Sequence, residues 1–149
     1  MALQQPALLA RWGASTMAYT PLSAVAIATF VAFMAGGLWY GPLFGKAWQA
    51  EQAMTDAQWA RASKPALFAI AIVCEAVVAL VLAHVLGHVP HDAGTTMMLA
   101  LGCAVGIVTP AIVMNYSFAL KSAKLMAIDA GHWFVVMLAI GVVFVVMRV

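Results

Sequence analysis

Two of the five acidic residues, Glu75 and Asp129, fall inside long apolar runs, where a carboxyl group needs a reason. An acid at the centre of a bilayer costs about 2.5 to 3.5 kcal/mol on insertion scales, so neither side chain is expected to face lipid. His132 follows Asp129 at i, i+3, which puts the two on one helical face. Asn115 lies near the end of the preceding apolar run. Glu75, Asn115, Asp129 and His132 are therefore the candidate binding cluster. Interhelical hydrogen bonding, at about 0.6 to 2 kcal/mol per contact, accounts for an asparagine. It accounts less well for Glu75, because an amide would join helices without the ionisation penalty. A carboxyl retained there points to protonation, or to an ion or ligand. Asp129 and His132, nearer the membrane surface, also suit a simple ion pair.

A second constellation is His84, His88, His91 and Asp92. His84 and His88 at i, i+4 share a face if the helix continues through Gly87, and His91 in the following loop would be a third metal ligand. Gly87 and Pro90 disturb that geometry, and histidines at a membrane edge also serve as amphipathic boundary residues. No phosphate loop, nucleophile elbow, HExxH or CxxC is present, so no catalytic residue is assigned and the reading leans away from an enzyme. No cofactor is expected.

These residues must be positioned by elements that live in lipid. The chain has 149 residues, 66% of them hydrophobic and only 8% charged, with a mean hydropathy of +1.02; soluble domains have about a quarter charged residues. Four runs match the roughly 20 residues that cross a bilayer: Pro21 to Leu38, Ala66 to Leu86, Thr95 to Leu120 and Leu125 to Met147. The expected fold is all-α, a single polytopic domain over residues 17–149 with four antiparallel transmembrane helices. Met17 stands immediately before the first run, so residues 1–16 are expected to be a flexible extension; without a positively charged start before the short apolar run Ala7 to Ala10 they do not read as a signal peptide. Pro21, Pro42, Pro65 and Pro90 lie at or outside the ends of the runs. Pro110 lies inside the third and should bend it. At 1.5 Å per residue, Glu75 is roughly 14 Å deep, Asn115 about 8 Å, and Asp129 and His132 about 6 and 10 Å, one polar layer on three helices.

The stretch Trp39-Tyr40-Gly41-Pro42 reads as a tight interfacial turn, with aromatic rings at headgroup level and Gly-Pro stopping the helix. Lys46 and Trp48 complete this interfacial motif. Thr55 and Gln58 have capping-box spacing, which predicts a short surface helix over about Asp56 to Ala62. Lys46, Arg61 and Lys64 lie in the first loop and Lys121 and Lys124 in the third, against Arg11 and Arg148 opposite. The first and third loops are expected to be cytoplasmic and both termini non-cytoplasmic. Cys74 and Cys103 fall in apolar runs and do not make a disulfide framework. A net charge of +2 without a basic strip argues against nucleic acid. The expected partners are the bilayer itself and either a second copy or another membrane protein. Ala24, Ala28, Ala32 and Gly36 recur every fourth residue, and Gly102 with Gly106 forms a GxxxG pair. Packing within the chain is the expected use of both, a homodimer seam the alternative.

The run from Gly37 to Trp48, Gly-Leu-Trp-Tyr-Gly-Pro-Leu-Phe-Gly-Lys-Ala-Trp, with Lys124-Leu125 and Ile128-Asp129-Ala130-Gly131-His132, resembles the bacterial membrane family called domain of unknown function 1761. The likeness extends over most of the chain from Met17 onward. It implies a compact four-helix protein of the bacterial inner membrane and brings no substrate or reaction. Members of that family often have an aromatic residue at the position of His132, so a histidine-based role would not extend to all of them. Two functions follow as expectations: an intramembrane polar site that binds or translocates a proton, cation or small molecule, or a non-catalytic scaffold or partner subunit.

Overall fold

A computed structural model describes residues 21–90 and 92–149; the extension expected over residues 1–16 lies outside the described residues, as does His91. Helix α1, Leu22–Leu38, runs on through a π turn at Trp39–Leu43; α2, Gly45–Glu51, and α3, Asp56–Arg61, occupy the first loop. Then come α4, Lys64–Leu86; α5, Ala93–Cys103, joined through a π turn at Ala104–Val108 to α6, Thr109–Phe118; and α7, Ala123–Met147. Among the described residues, four stretches are long and apolar enough to cross a membrane: Leu22–Leu43, Lys64–Leu86, Ala93–Phe118 and Ala123–Met147, here spans one to four. No strand occurs among the described residues. The protein is a multi-pass, all-α membrane protein.

Helix starts follow their local chemistry. Asp92 caps span three, its Oδ1 accepting from the Thr95 N–H at 2.9 Å, and Ser122 caps span four by accepting from the Leu125 N–H. Pro65 stands in the first turn of span two, where its missing N–H has no helical partner to lose. The Thr55–Gln58 capping box forms and opens α3.

Both internal prolines are accommodated by π turns. The expected bend at Pro110 is preceded by Ala104–Val108, wound with one extra residue per turn, which changes the register that Pro110 would otherwise interrupt. Gly41-Pro42 does not stop span one as a tight turn would. The chain stays helical through Leu43, and the Phe44 N–H donates to the Trp39 carbonyl at 2.8 Å, an i to i−5 bond that passes over Pro42. The first loop then winds into α2, an element not anticipated between the proline and the short surface helix.

Spans one and four form the centre. Span one packs against spans two and four, span four against spans one and three, while spans two and three touch little. The alanine stripe explains span one's position: Ala24, Ala28 and Ala32 are fully buried and let Val136, Ile140 and Phe144 of span four close on their backbone. Ala79, Leu82, Ala83 and Leu86 of span two and Ala100 of span three complete this core. The Gly102–Gly106 pair departs from the packing expected within the chain. Both glycines are exposed, with no atom within 4 Å of where a Cβ would stand.

Candidate functional site

Span four opens with the residues around which the site is built. Its first turns present Ile128, Asp129, Gly131 and His132 to the end of span one, the two helices being antiparallel neighbours. The Trp39 indole N–H donates to the Ile128 carbonyl at 3.0 Å. Its ring lies so close to Gly131 that a Cβ there would be 2.9 Å from Cζ2. Phe44 packs against the same indole, 4.4 Å between centroids. Within the interfacial motif Trp39 thus turns inward onto span four and uses its polar end within the protein, as Tyr40 does.

Asp129 is 6% exposed, yet no lysine or arginine pairs with it among the described residues. Its carboxyl is held by two phenols from two other spans. Tyr40 donates to Oδ1 at 2.6 Å and Tyr116 to Oδ2 at 2.7 Å, lengths typical of hydroxyl donors to a carboxylate. The Tyr40 ring also packs on His132, 4.7 Å between centroids, and on Trp48 at 5.6 Å.

Glu75 lies further from the loops and is 5% exposed. Its Oε2 is buried without a hydrogen-bond partner among the described residues. It faces Gly36 of span one, as His132 does: a Cβ on Gly36 would be 3.0 Å from His132 Nε2 and 3.6 Å from Glu75 Oε1. Spans one, two and four thus converge at a bare backbone position.

Of the four residues read as a cluster, Glu75, Asp129 and His132 line one interior and Asn115 does not. Asn115 is exposed, makes no side-chain hydrogen bond among the described residues, and is replaced at Asp129 by its neighbour Tyr116. Nothing in the sequence set Tyr116 above Asn115 as the partner of Asp129. Asn115 is one residue off, about 100° around the helix.

The histidine group at the other membrane surface is less gathered. Both rings are exposed and 4.8 Å apart, and His88 Nδ1 stands 2.8 Å from the His84 carbonyl oxygen. Asp92 is engaged as the cap of span three, with Thr95 donating to both its oxygens; these bonds hold its carboxyl below the usual range. Among the described residues no three His, Cys, Asp or Glu side chains are grouped as a metal site would need.

At the loop end, α2 is fastened to the start of span four. Ser122 donates to Glu51 Oε2 at 2.5 Å, Lys124 pairs with Oε1 at 3.1 Å, and Lys121 donates to Gln52. Lys46 is exposed. A groove of about 420 Å³ opens to lipid between spans one and two, bordered by Val25, Phe33, Ile72 and Ala76. Its one hydroxyl, Thr29, already donates to the Val25 carbonyl. The groove offers no free polar group.

The model of a family described as "Protein of unknown function (DUF1761)" matches residues 23–145. The chain belongs to this family. The match begins with span one and ends within span four, so all the interior residues above lie in the DUF1761 region. No curated protein and no solved structure matches the chain.

Proposed function

We propose that this DUF1761 protein binds and passes a proton, cation or small molecule at an intramembrane polar site centred on Glu75, with Asp129 and His132 on the side of the first and third loops. The observation that carries this reading is the buried, unpartnered Oε2 of Glu75. An unsatisfied buried polar group costs about 1 to 3 kcal/mol, more if charged. Asp129, by contrast, has both oxygens satisfied, so the same bundle can satisfy an acid where the role is structural. On this reading the protein resides in a bacterial inner membrane, with the lysine-bearing first and third loops in the cytoplasm, and needs no cofactor. The test is proton and ligand binding to purified protein across pH, wild type against Glu75→Gln. Loss of a pH-dependent binding event in the variant supports the site; identical binding overturns it.

A second reading, a partner subunit or scaffold, is favoured by one observation: the exposed Gly102–Gly106 pair leaves span three open to close approach by another helix. That helix would come from a second copy or from another membrane protein. A monodisperse monomer that copurifies with nothing under mild solubilisation would count against it.

A further inference from the structure

Resting on that reading, we propose that Gly36, Glu75 and His132 form a proton-exchange seat that takes one bridging water and is closed to metal and organic cations. Glu75 Oε1 and His132 Nε2 both close on the same point above the Gly36 Cα, where a Cβ would stand, at 3.6 and 3.0 Å from it, and no ion pair joins them among the described residues. Two hydrogen bonds of about 2.8 Å end to end span roughly 5 to 6 Å. Both atoms lie within 3.6 Å of one point, so a single water is the bridge assigned between them. Glycine makes the arrangement possible, because any side chain at position 36 would meet the imidazole first.

The same geometry sets the ligand class. Hard metal cations take six or more oxygen ligands, whereas one carboxyl and one imidazole nitrogen face this seat and no third acid, cysteine or histidine joins them among the described residues. An organic ammonium needs several times the room of one water, and the side chains close to 3.0 and 3.6 Å around the point over Gly36. The lipid-facing groove nearby is roomy, but Glu75 does not border it.

The exchange balances without a further reactant. The carboxyl O–H of Glu75 breaks as the water accepts that proton, and the water's own proton forms an N–H bond at His132 Nε2. Carboxylic acid and neutral imidazole become carboxylate and imidazolium. The ionisable groups facing the seat are His132 and, one turn nearer the loops, Asp129 with its donors Tyr40 and Tyr116. Span one contributes only Gly36 at this level. The imidazole packs on the Tyr40 ring, so the polar track leads from the seat towards the first and third loops.

The experiment is an acid jump on detergent-purified protein with a pH-indicator dye, reading the proton uptake of wild type minus that of Glu75→Gln. It is repeated with saturating sodium, potassium or tetraethylammonium, and with Gly36→Ala and His132→Gln after thermal melts show that both remain folded. Expected are one proton lost in Glu75→Gln, no displacement by any of the cations, and uptake at least tenfold slower in Gly36→Ala and His132→Gln. Proton release on adding a cation, or unchanged kinetics in both seat variants, overturns the seat while leaving Glu75 as a site. If Gly36→Ala misfolds, His132→Gln alone decides. Identical uptake in Glu75→Gln overturns the underlying reading instead.

Discussion

The Tyr40 hydroxyl donates a 2.6 Å hydrogen bond to Asp129 across 89 residues of sequence, and Tyr116 closes on the other oxygen of the same carboxyl. Three spans meet at one side chain. Phenylalanine at either tyrosine removes a donor and almost no volume, so Tyr40→Phe and Tyr116→Phe should each lower stability by about 1 to 2 kcal/mol. The double variant should lose more than the sum, because it leaves a buried carboxyl with neither donor. Unfolding titrations in a mild detergent measure all three. Losses below about 0.3 kcal/mol in both single variants would mean that the clamp does not hold the spans together.

Glycine substitutions separate close approach from open space. Gly131→Ala places a Cβ 2.9 Å from the Trp39 ring and should cost about 1 to 3 kcal/mol as the indole shifts. Gly45→Ala puts one against the Tyr40 carbonyl oxygen; backbone has to move, and the loss should be larger. Gly37→Ala meets nothing within 4 Å and should be neutral or stabilising by up to about 1 kcal/mol. Thermal melts of the three variants check the order, and a destabilised Gly37→Ala would contradict the packing described.

Much of this was legible in the sequence because lipid imposes simple rules. Length and hydropathy located the four spans to within a few residues, and Thr55 with Gln58 located α3. The inward placement of Glu75 and Asp129 followed from the cost of an acid in hydrocarbon. What was not legible depended on rotation and on neighbours. Asn115 and Tyr116 differ by about 100° of helix, which decides between exposure and the Asp129 clamp. Gly36 read as one more small residue of a packing stripe, and only the convergence of spans two and four on it gives it a further meaning. Gly102 and Gly106 carry the same pattern as that stripe but face outward, since the pattern states that backbones can approach without stating whose. Pro42 read as a helix stop because the sequence does not announce a π turn.

The tie between the first and third loops should weaken in acid. The Ser122 hydroxyl, and then Lys124, hold the Glu51 carboxyl below its usual range. Since the folded-state value is depressed, the tie contributes fully above the unfolded-state value, near 4.3 for a glutamate, and is lost as pH falls through the folded one. Hydrogen exchange across Gly45–Glu51 should therefore accelerate in wild type as pH is lowered through that acidic window, after correction for intrinsic exchange. Glu51→Gln should exchange faster already at neutral pH and show no such step. An equal acid response in the variant would assign the effect to another group.

Glu75 distinguishes a bundle built for stability from one built around a site. Its unpartnered oxygen lies among packed helices, and replacing a buried polar group by an apolar one of similar size is often neutral or stabilising. Glu75→Met should therefore raise stability by about 1 to 3 kcal/mol in detergent unfolding while abolishing the proton uptake assigned to this residue. A structural carboxyl gives the opposite pattern: truncating it would release helix contacts and destabilise the bundle. If Glu75→Met unfolds more easily than wild type by 1 kcal/mol or more, the residue joins the spans and the site has no centre. A gain in stability together with a loss of binding is the signature of a group kept in the membrane at the expense of the fold.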